Sequence, residues 1–346
     1  MKQDFEPVYR QMLRIRAFEE SLAALWRRGL ISGELHLGIG EEALIAGVLA
    51  HARHGDAVTL DHRSTPALVA RGVDLESMVL EMLGSKEGLC RGMGGHMHMF
   101  SREHLAASSG IVGCSVPLGA GFALAARELR PGSVAVSFLG EGAMNQGMVL
   151  EALNLASVWK LPLIVVCKDN GWAITTRSRS VTAGSLVKRA GAFDVRALKV
   201  NGMRADRVWW AAREAFERAR RGDGPGFIHA KCAHLEGHFL GDPLLRVFKD
   251  PGEQLREITV PLTRAVVSGG GGVTTKAAAL GRIARSLSEI GLDTYLPHHD
   301  PMKASARLVS DEARERMRDE ARVEVQEAVM RALARSGAGG EVIARG

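Results

Sequence analysis

Cysteine is scarce in this 346-residue chain: there are four, Cys90, Cys114, Cys167 and Cys232, and no two stand at a C-x-x-C spacing. That excludes a disulfide-framed secreted fold and a cysteine-type zinc site, and it leaves the thiols as reduced packing residues. No stretch approaches the roughly 20 consecutive apolar residues that cross a bilayer. Uncharged stretches such as 110–126 are broken by Gly, Ser and Pro, so no membrane span is expected. The opening MKQDFEPVYRQMLRIR holds acidic residues and lacks the apolar core and small-residue cleavage site of a secretory leader. A cytoplasmic protein is the expectation.

What is present is an ordinary globular composition. With 46% hydrophobic and 24% charged residues the chain is too apolar for disorder and too charged for a multi-span membrane protein, and it is long enough to bury a sizeable core. The formal charge of +6 raises the question of nucleic acid. The basic residues, however, are spread over segments such as 213–221 and 314–322 with acids between them, which is the pattern of solvated helix faces. No nucleic-acid partner is expected. A groove for anionic ligands is compatible with the same charge.

Apolar residues Phe5, Val8, Met12, Ile15, Phe18, Leu22 and Leu25 recur at three and four and predict a helix over 4–29, with Gly29 as its stop. Gly40-Glu41-Glu42 opens a second apolar helix. From Val58 onward short apolar runs alternate with helical stretches: 134–139, then 145–159, then 163–167. Strand, helix, strand is the grammar of an α/β fold, a parallel sheet with helices on both faces. Past 243 the character changes. Residues 268–272 read SGGGG, and 310–333, rich in Ala, Arg and Glu, reads as a long amphipathic helix followed by a glycine-rich tail. The expected organisation is one domain over 1–250 with an N-terminal helical segment, an insertion or flexible segment over 251–298, and a helical C-terminal extension over 299–346.

The strand 134–139 runs into Gly140-Glu141-Gly142-Ala143. Two glycines flanking an acid at a strand's carboxyl end let the backbone turn sharply and approach a ligand, while the helix after them offers free N–H groups to a phosphate. From Gly142 to Asn170 there is room for one crossover helix and one strand. A right-handed crossover returns Asn170 to the same sheet edge, beside Glu141. Both are oxygen donors, the ligand type that Mg²⁺ prefers when diphosphate oxygens fill other positions. The plainer alternative is a glycine-rich turn with an exposed acid and a turn-capping Asn.

Residues 91–176 contain RGMGGHMHMF, GIVGCSVPLGAG, FLGEGAMNQG and EALNLASVWKLPLIVVCKDNGWAITT; HLGIGEEA precedes them at 36–43, with Leu60-Asp-His-Arg63, and GHFLGDP follows at 237–243. In this order the motifs resemble the alpha subunit of the thiamine-diphosphate-dependent 2-oxo acid dehydrogenases of pyruvate and acetoin type. The resemblance implies the thiamin diphosphate-binding fold, with thiamine diphosphate and Mg²⁺ as cofactors. It implies decarboxylation of a 2-oxo acid, or cleavage of acetoin, and transfer of the acyl unit to a lipoyl group. The implied partners are a beta subunit in an α2β2 heterotetramer, which supplies a pyrimidine-activating glutamate, and a lipoyl acyltransferase. Carried over by position, Glu141, Asn170 and the carbonyl of Trp172 are metal ligands. Gly140, Gly142 and Ala143 lie near the phosphates, and Gly110, Ile111, Val112 and Gly113 hold the aminopyrimidine. Arg63, His234 and His238 meet the diphosphate side, with His238 and His98 as the candidate catalytic histidines.

The chain departs from the pattern at several places. Glu141 stands where the family almost always has Asp, longer by one bond of about 1.5 Å; Thr65 stands where many members have a histidine, His234 where many have an arginine, and Phe239 where pyruvate-type members have a serine. These departures keep open an alternative, a structural or regulatory subunit of the same assembly with weakened metal binding. Gly119-Ala-Gly121 lacks the third glycine of a dinucleotide fingerprint and reads instead as a close-packing helix. His96 and His98 offer two metal ligands with no third expected nearby. The stretch 177–182 reads as a loop closing over the cofactor.

Overall fold

The computed structural model describes residues 3–174, 176–233, 235–241 and 300–337, together with 272, 274–276, 278 and 281. In chain order the elements are α1 (Glu6–Arg27), α2 (Glu42–Leu49), β1 (Ala57–Leu60), α3 (Thr65–Arg71), α4 (Leu75–Met82), β2 (Phe100–Ser101), β3 (Ala106–Ser108), α5 (Ser115–Leu129), β4 (Ala135–Gly140), α6 (Gly147–Val158) and β5 (Leu163–Asp169). There follow β6 (Trp172–Ala173), β7 (Thr176–Arg177), α7 (Ser178–Val181), α8 (Leu186–Gly191), β8 (Arg196–Asn201), α9 (Ala205–Arg220), β9 (Gly226–Lys231), α10 (Pro301–Ser305) and α11 (Asp311–Ser336). The insertion read at 251–298 falls almost wholly outside the described residues, as do His234 and the tail after 337.

Seven strands form one sheet in the order β2-β3-β1-β4-β5-β9-β8, parallel except for β2. The central strands are apolar on both sides because both sides are covered. Val136, Phe138, Ile164 and Val166 enter a core built with α1, α2, α3, α9 and α11. Their alternate neighbours Ala135, Leu139, Leu163, Val165 and Cys167 enter a second core under α5, α6 and α8. The period-two switch of a strand thus feeds two layers, and the helices lie on both faces as the sequence predicts.

The N-terminal helix begins with Pro7 in its first turn and ends before Gly29 at φ +74°. The C-terminal helix is capped by Ser310, whose hydroxyl accepts from the Ala313 N–H, and stops at Gly337 in the left-handed region. It does not stand apart: Met317, Ala321, Val325, Ala328 and Ala332 enter the same core as α1, and the small alanines let the two backbones approach. Arg14 pairs with Glu324 across that contact at 2.6 Å. Gly119 is the close-packing residue of α5, since a Cβ there would lie 2.9 Å from Thr59 Oγ1 and 3.0 Å from Ser137 Cβ; Gly121 faces open space. All four thiols are free. Among the described residues no helix is long and apolar enough to cross a membrane.

Candidate active site

From β1 the chain moves outward to β3 on one side of the sheet, and β4 then forms on the other side of β1. Loops leaving the carboxyl ends of β1 and β4 therefore diverge and open a crevice, the place where such sheets bind ligands. A cleft of about 300 Å³ lies there. Its wall is Asp61–Arg63 after β1, Ser109–Gly113 after β3, Gly140–Ala143 after β4 and Lys168, Asn170 and Trp172–Ile174 at the end of β5, completed by Glu41, Gln146 and His238. The glycine-flanked acid, its downstream Asn, Trp172, the 110–113 backbone, Arg63 and His238 are thus brought together in one cavity.

Parallel pairing of β4 with β5, in register Gly140 with Lys168, sets Glu141 and Asn170 side by side at the edge. The Glu141 carboxylate is buried and accepts from the Asn170 main-chain N–H and from Ser178 Oγ. Burial pushes the Glu141 carboxyl up to about 7; the Ser178 hydrogen bond pulls against this and the Asp169 charge adds to it. Asn170 Oδ1 accepts from the Trp172 N–H at 2.9 Å, closing a one-residue turn. A Cβ on Gly142 would stand 2.8 Å from the Ala173 Cβ, so only glycine leaves this side of the cleft open. The following helix starts at Gly147 rather than near 145, because a single 3₁₀ turn, Glu141–Asn145, intervenes.

Sequence reasoning missed a charged cluster behind this edge. Lys168, 2% exposed, pairs with Glu41 at 2.7 Å and Asp61 at 3.0 Å. Burial and then these two carboxylates act on the ammonium, with a net upward shift; burial raises Glu41, and at Asp61 burial is the largest single influence but Lys168, His62 and Arg63 together hold the carboxyl low. Lys168 follows the apolar run 161–167 and its sequence neighbour Asp169 is not its partner, so nothing local signals Glu41 and Asp61. Arg63 is held in place by the Leu37 carbonyl at 2.5 Å and the His238 carbonyl at 2.7 Å, with His238 Nδ1 3.3 Å away.

His36, His62 and His238 also meet here, and this grouping was missed too, although each falls in a motif. Among the described residues His62 Nε2 is buried with no hydrogen-bond partner, a situation that costs about 1–3 kcal/mol. His96, expected to find no third ligand, stacks on His36 at 5.2 Å between ring centres. His98 is exposed and outside the cleft wall; its Nε2 lies 3.2 Å from the Cβ that Gly110 lacks. Thr65 is buried at the start of α3, where its hydroxyl donates to Glu19. The stretch 177–182 forms β7, which pairs with β6, and the short α7 that carries Ser178 to Glu141.

Residues 10–256 match the family described as the dehydrogenase E1 component. The alpha subunit of the acetoin:2,6-dichlorophenolindophenol oxidoreductase of Bacillus subtilis is 40% identical over 245 residues, covering 70% of this chain and 74% of that protein. Its counterpart from Cupriavidus necator is 42% identical over 243 residues, covering 70% and 73%. The pyruvate dehydrogenase E1 component subunit alpha of Rhizobium meliloti is 37% identical over 263 residues, covering 75% and 76%.

Proposed function

The chain belongs to the dehydrogenase E1 component family, and from that premise we propose that it is the alpha subunit of a thiamine-diphosphate-dependent 2-oxo acid dehydrogenase of pyruvate or acetoin type. The observation that carries this reading is the convergence of Glu141, Asn170 and Trp172 with the backbone of 110–113 and 140–143 on a single cleft.

The residues fit such a cofactor. A carboxylate, an amide oxygen and the Trp172 carbonyl make an all-oxygen donor set suited to Mg²⁺, and Gly142 leaves open the space a side chain would fill. In this reading Glu141, Asn170 and the Trp172 carbonyl hold the cation. The main chain of 110–113 holds the aminopyrimidine, and Arg63, His238 and His234 balance the diphosphate. Bound thiamine diphosphate supplies the nucleophilic carbon and the electron sink for cleaving the bond beside the substrate carbonyl. The protein's part is position and charge. Glu141 would offer its carboxylate to the cation, and the Lys168 cluster fixes the loop after β1 and the loop before α2 against the end of β5. Arg63 orients the segment bearing His238 through its carbonyl, and His98 stands beside Gly110 where substrate enters.

The partners follow from the same reading: a beta subunit in an α2β2 assembly, and a lipoyl acyltransferase that receives the acyl unit. Support for a partner comes from the outer faces of α5 and α6, where Leu118, Leu129, Met148, Leu155, Val158 and Trp159 are exposed; apolar groups clustered on one layer of a protein surface mark interaction sites.

Calorimetric titration of thiamine diphosphate into the chain with its beta partner, in Mg²⁺, in Ca²⁺ and without either, tests the proposal. Saturable binding that needs the cation is expected. If the wild type shows none, and Glu141→Asp does not restore it, the reading fails and the structural or regulatory subunit stands instead.

A further inference from the structure

One ring nitrogen from each of His36, His62 and His238 lies within 4.8 Å of the others. The three rings are in mutual contact: His36 meets His62 and His238 edge-on at 4.8 Å each, and His62 meets His238 at 5.3 Å. They come from three separate places in the chain, the loop before α2, the loop after β1 and the loop after β9. Neutral imidazole is the form that binds a metal.

The tautomer of His36 follows from geometry. His96 Nε2 faces both the His36 main-chain N–H, at 3.4 Å, and His36 Nδ1, at 2.9 Å. A main-chain N–H can only donate, so His96 Nε2 accepts, His36 Nδ1 carries the hydrogen, and His36 Nε2 keeps its lone pair. A ligating histidine whose other nitrogen donates to a fixed acceptor is the usual arrangement at metal sites.

We propose that His36, His62 and His238 form a binding site for a borderline-soft divalent transition ion, of which Zn²⁺ is the type, separate from the oxygen-donor position at Glu141 and Asn170. Bonds of about 2.0–2.1 Å in tetrahedral geometry place ligand nitrogens about 3.3 Å apart, so the rings close by about 1.5 Å at their widest separation. The groups facing the cluster are Arg63, Lys168, Asp61 and His96, with Glu41 behind Lys168. Arg63 opposes a dication and limits its affinity. His62 and His238 line the cleft, which leaves room beside them for a water or an anionic ligand. His238 is shared with the cofactor assignment, so saturating Zn²⁺ is expected to compete with thiamine diphosphate. That competition rests on the proposed function; the metal site itself does not.

Co²⁺ titrated into the full chain stripped of metal, followed by visible absorption, tests the site. One Co²⁺ per chain is expected, with the intense visible bands of tetrahedral nitrogen coordination, displaced by Zn²⁺ and unaffected by excess Mg²⁺. His62→Gln and His36→Ala each lower the affinity by more than the roughly 10–100-fold expected for His96→Ala, whereas His104→Ala and Cys90→Ser leave it unchanged. His62, whose Nε2 has no hydrogen bond to lose among the described residues, is the variant most expected to keep the fold, and its thermal unfolding is measured alongside. A weak octahedral spectrum, or tetrahedral bands that survive His62→Gln in a folded chain, overturns the proposal. Thiamine diphosphate binding in Mg²⁺, measured separately, shows whether the proposed function fails with it.

Discussion

Ser178 donates a hydrogen bond to the carboxylate of Glu141 from 37 residues along the chain. The pair stands between two clefts. Glu141 lines the crevice at the sheet edge and, with Ser178, a second cavity of about 520 Å³ that also holds Arg177, Arg179, Lys199 and Lys231. The acid is therefore held in place before any cation arrives, at the cost of burying it, which is why its carboxyl is pushed up.

Glu141→Gln removes the one anionic ligand of the proposed Mg²⁺ position and keeps its shape. Cation-dependent cofactor binding is expected to fall by more than the roughly 10–100-fold typical of outer-layer partners. Thermal stability at pH 8 should hold or rise, because a buried charge is gone. Calorimetry together with thermal unfolding reads both, and unchanged cofactor affinity would remove Glu141 from the site.

Lys168→Met leaves Glu41 and Asp61 buried without their cation. Breaking a buried ion pair on one side costs about 3–5 kcal/mol, and a loss of that order in urea denaturation is expected. Adding Glu41→Gln should recover part of it, since one of the two stranded carboxylates is then neutral. A loss below about 1 kcal/mol in the single variant would show that the cluster is solvated rather than buried.

Much of this was legible before the fold, and the reason is local. A strand that runs into Gly140-Glu141-Gly142 has few ways to turn, and one crossover back to Asn170 fixes where the second oxygen lands. Lys168, Asp61 and Glu41 were not legible, because their contact depends on the end of β5 meeting two loops across the sheet edge, at separations of 107 and 127 residues. The same holds for the histidines: each sat in a recognised motif, but spacing along the chain says nothing about rings that meet from three loops. The helix expected at 145 began at Gly147 because a 3₁₀ turn carries the same short-range apolar pattern. That the C-terminal helix shares the core of α1 was also hidden, since an amphipathic stripe does not name its partner.

Gly119 and Gly121 lie two residues apart on α5 and are expected to respond with opposite sign. An added methyl at Gly119 meets Thr59 and Ser137 within 3.0 Å, whereas at Gly121 it meets nothing. Gly119→Ala should destabilise by about 1–3 kcal/mol through overpacking. Gly121→Ala should stabilise the isolated chain by up to about 1 kcal/mol through helix propensity. Gly121 lies on the same exposed stripe as Leu118 and Leu129, so the same change should weaken assembly with a beta partner. Sedimentation of the mixed subunits beside denaturation of the chain alone separates the two effects, and unimpaired assembly would take α5 out of the interface.

Glu19 gives a pH dependence that does not involve the cleft. Its carboxylate is fully buried and accepts from the Gly38 N–H at 2.7 Å and from Thr65 Oγ1. Burial pushes it up to about 7, against the pull of these two hydrogen bonds, from 4.5 in the unfolded chain. Below pH 4.5 the group is protonated in both states and burying it costs nothing in charge. As pH rises from 4.5 towards 7 the unfolded chain ionises first, so the folded state loses stability over that window and the loss is complete above about 7. The shift corresponds to at most about 3 kcal/mol. Glu19→Gln keeps an acceptor for Gly38, and its amide can donate to the Thr65 oxygen if that hydroxyl turns. The variant should match the wild type near pH 5 and exceed it at pH 8, with the difference growing between. Urea midpoints measured across that range check this, and a variant that is less stable at pH 8 than at pH 5 relative to wild type would show that folding lowers the Glu19 carboxyl instead of raising it.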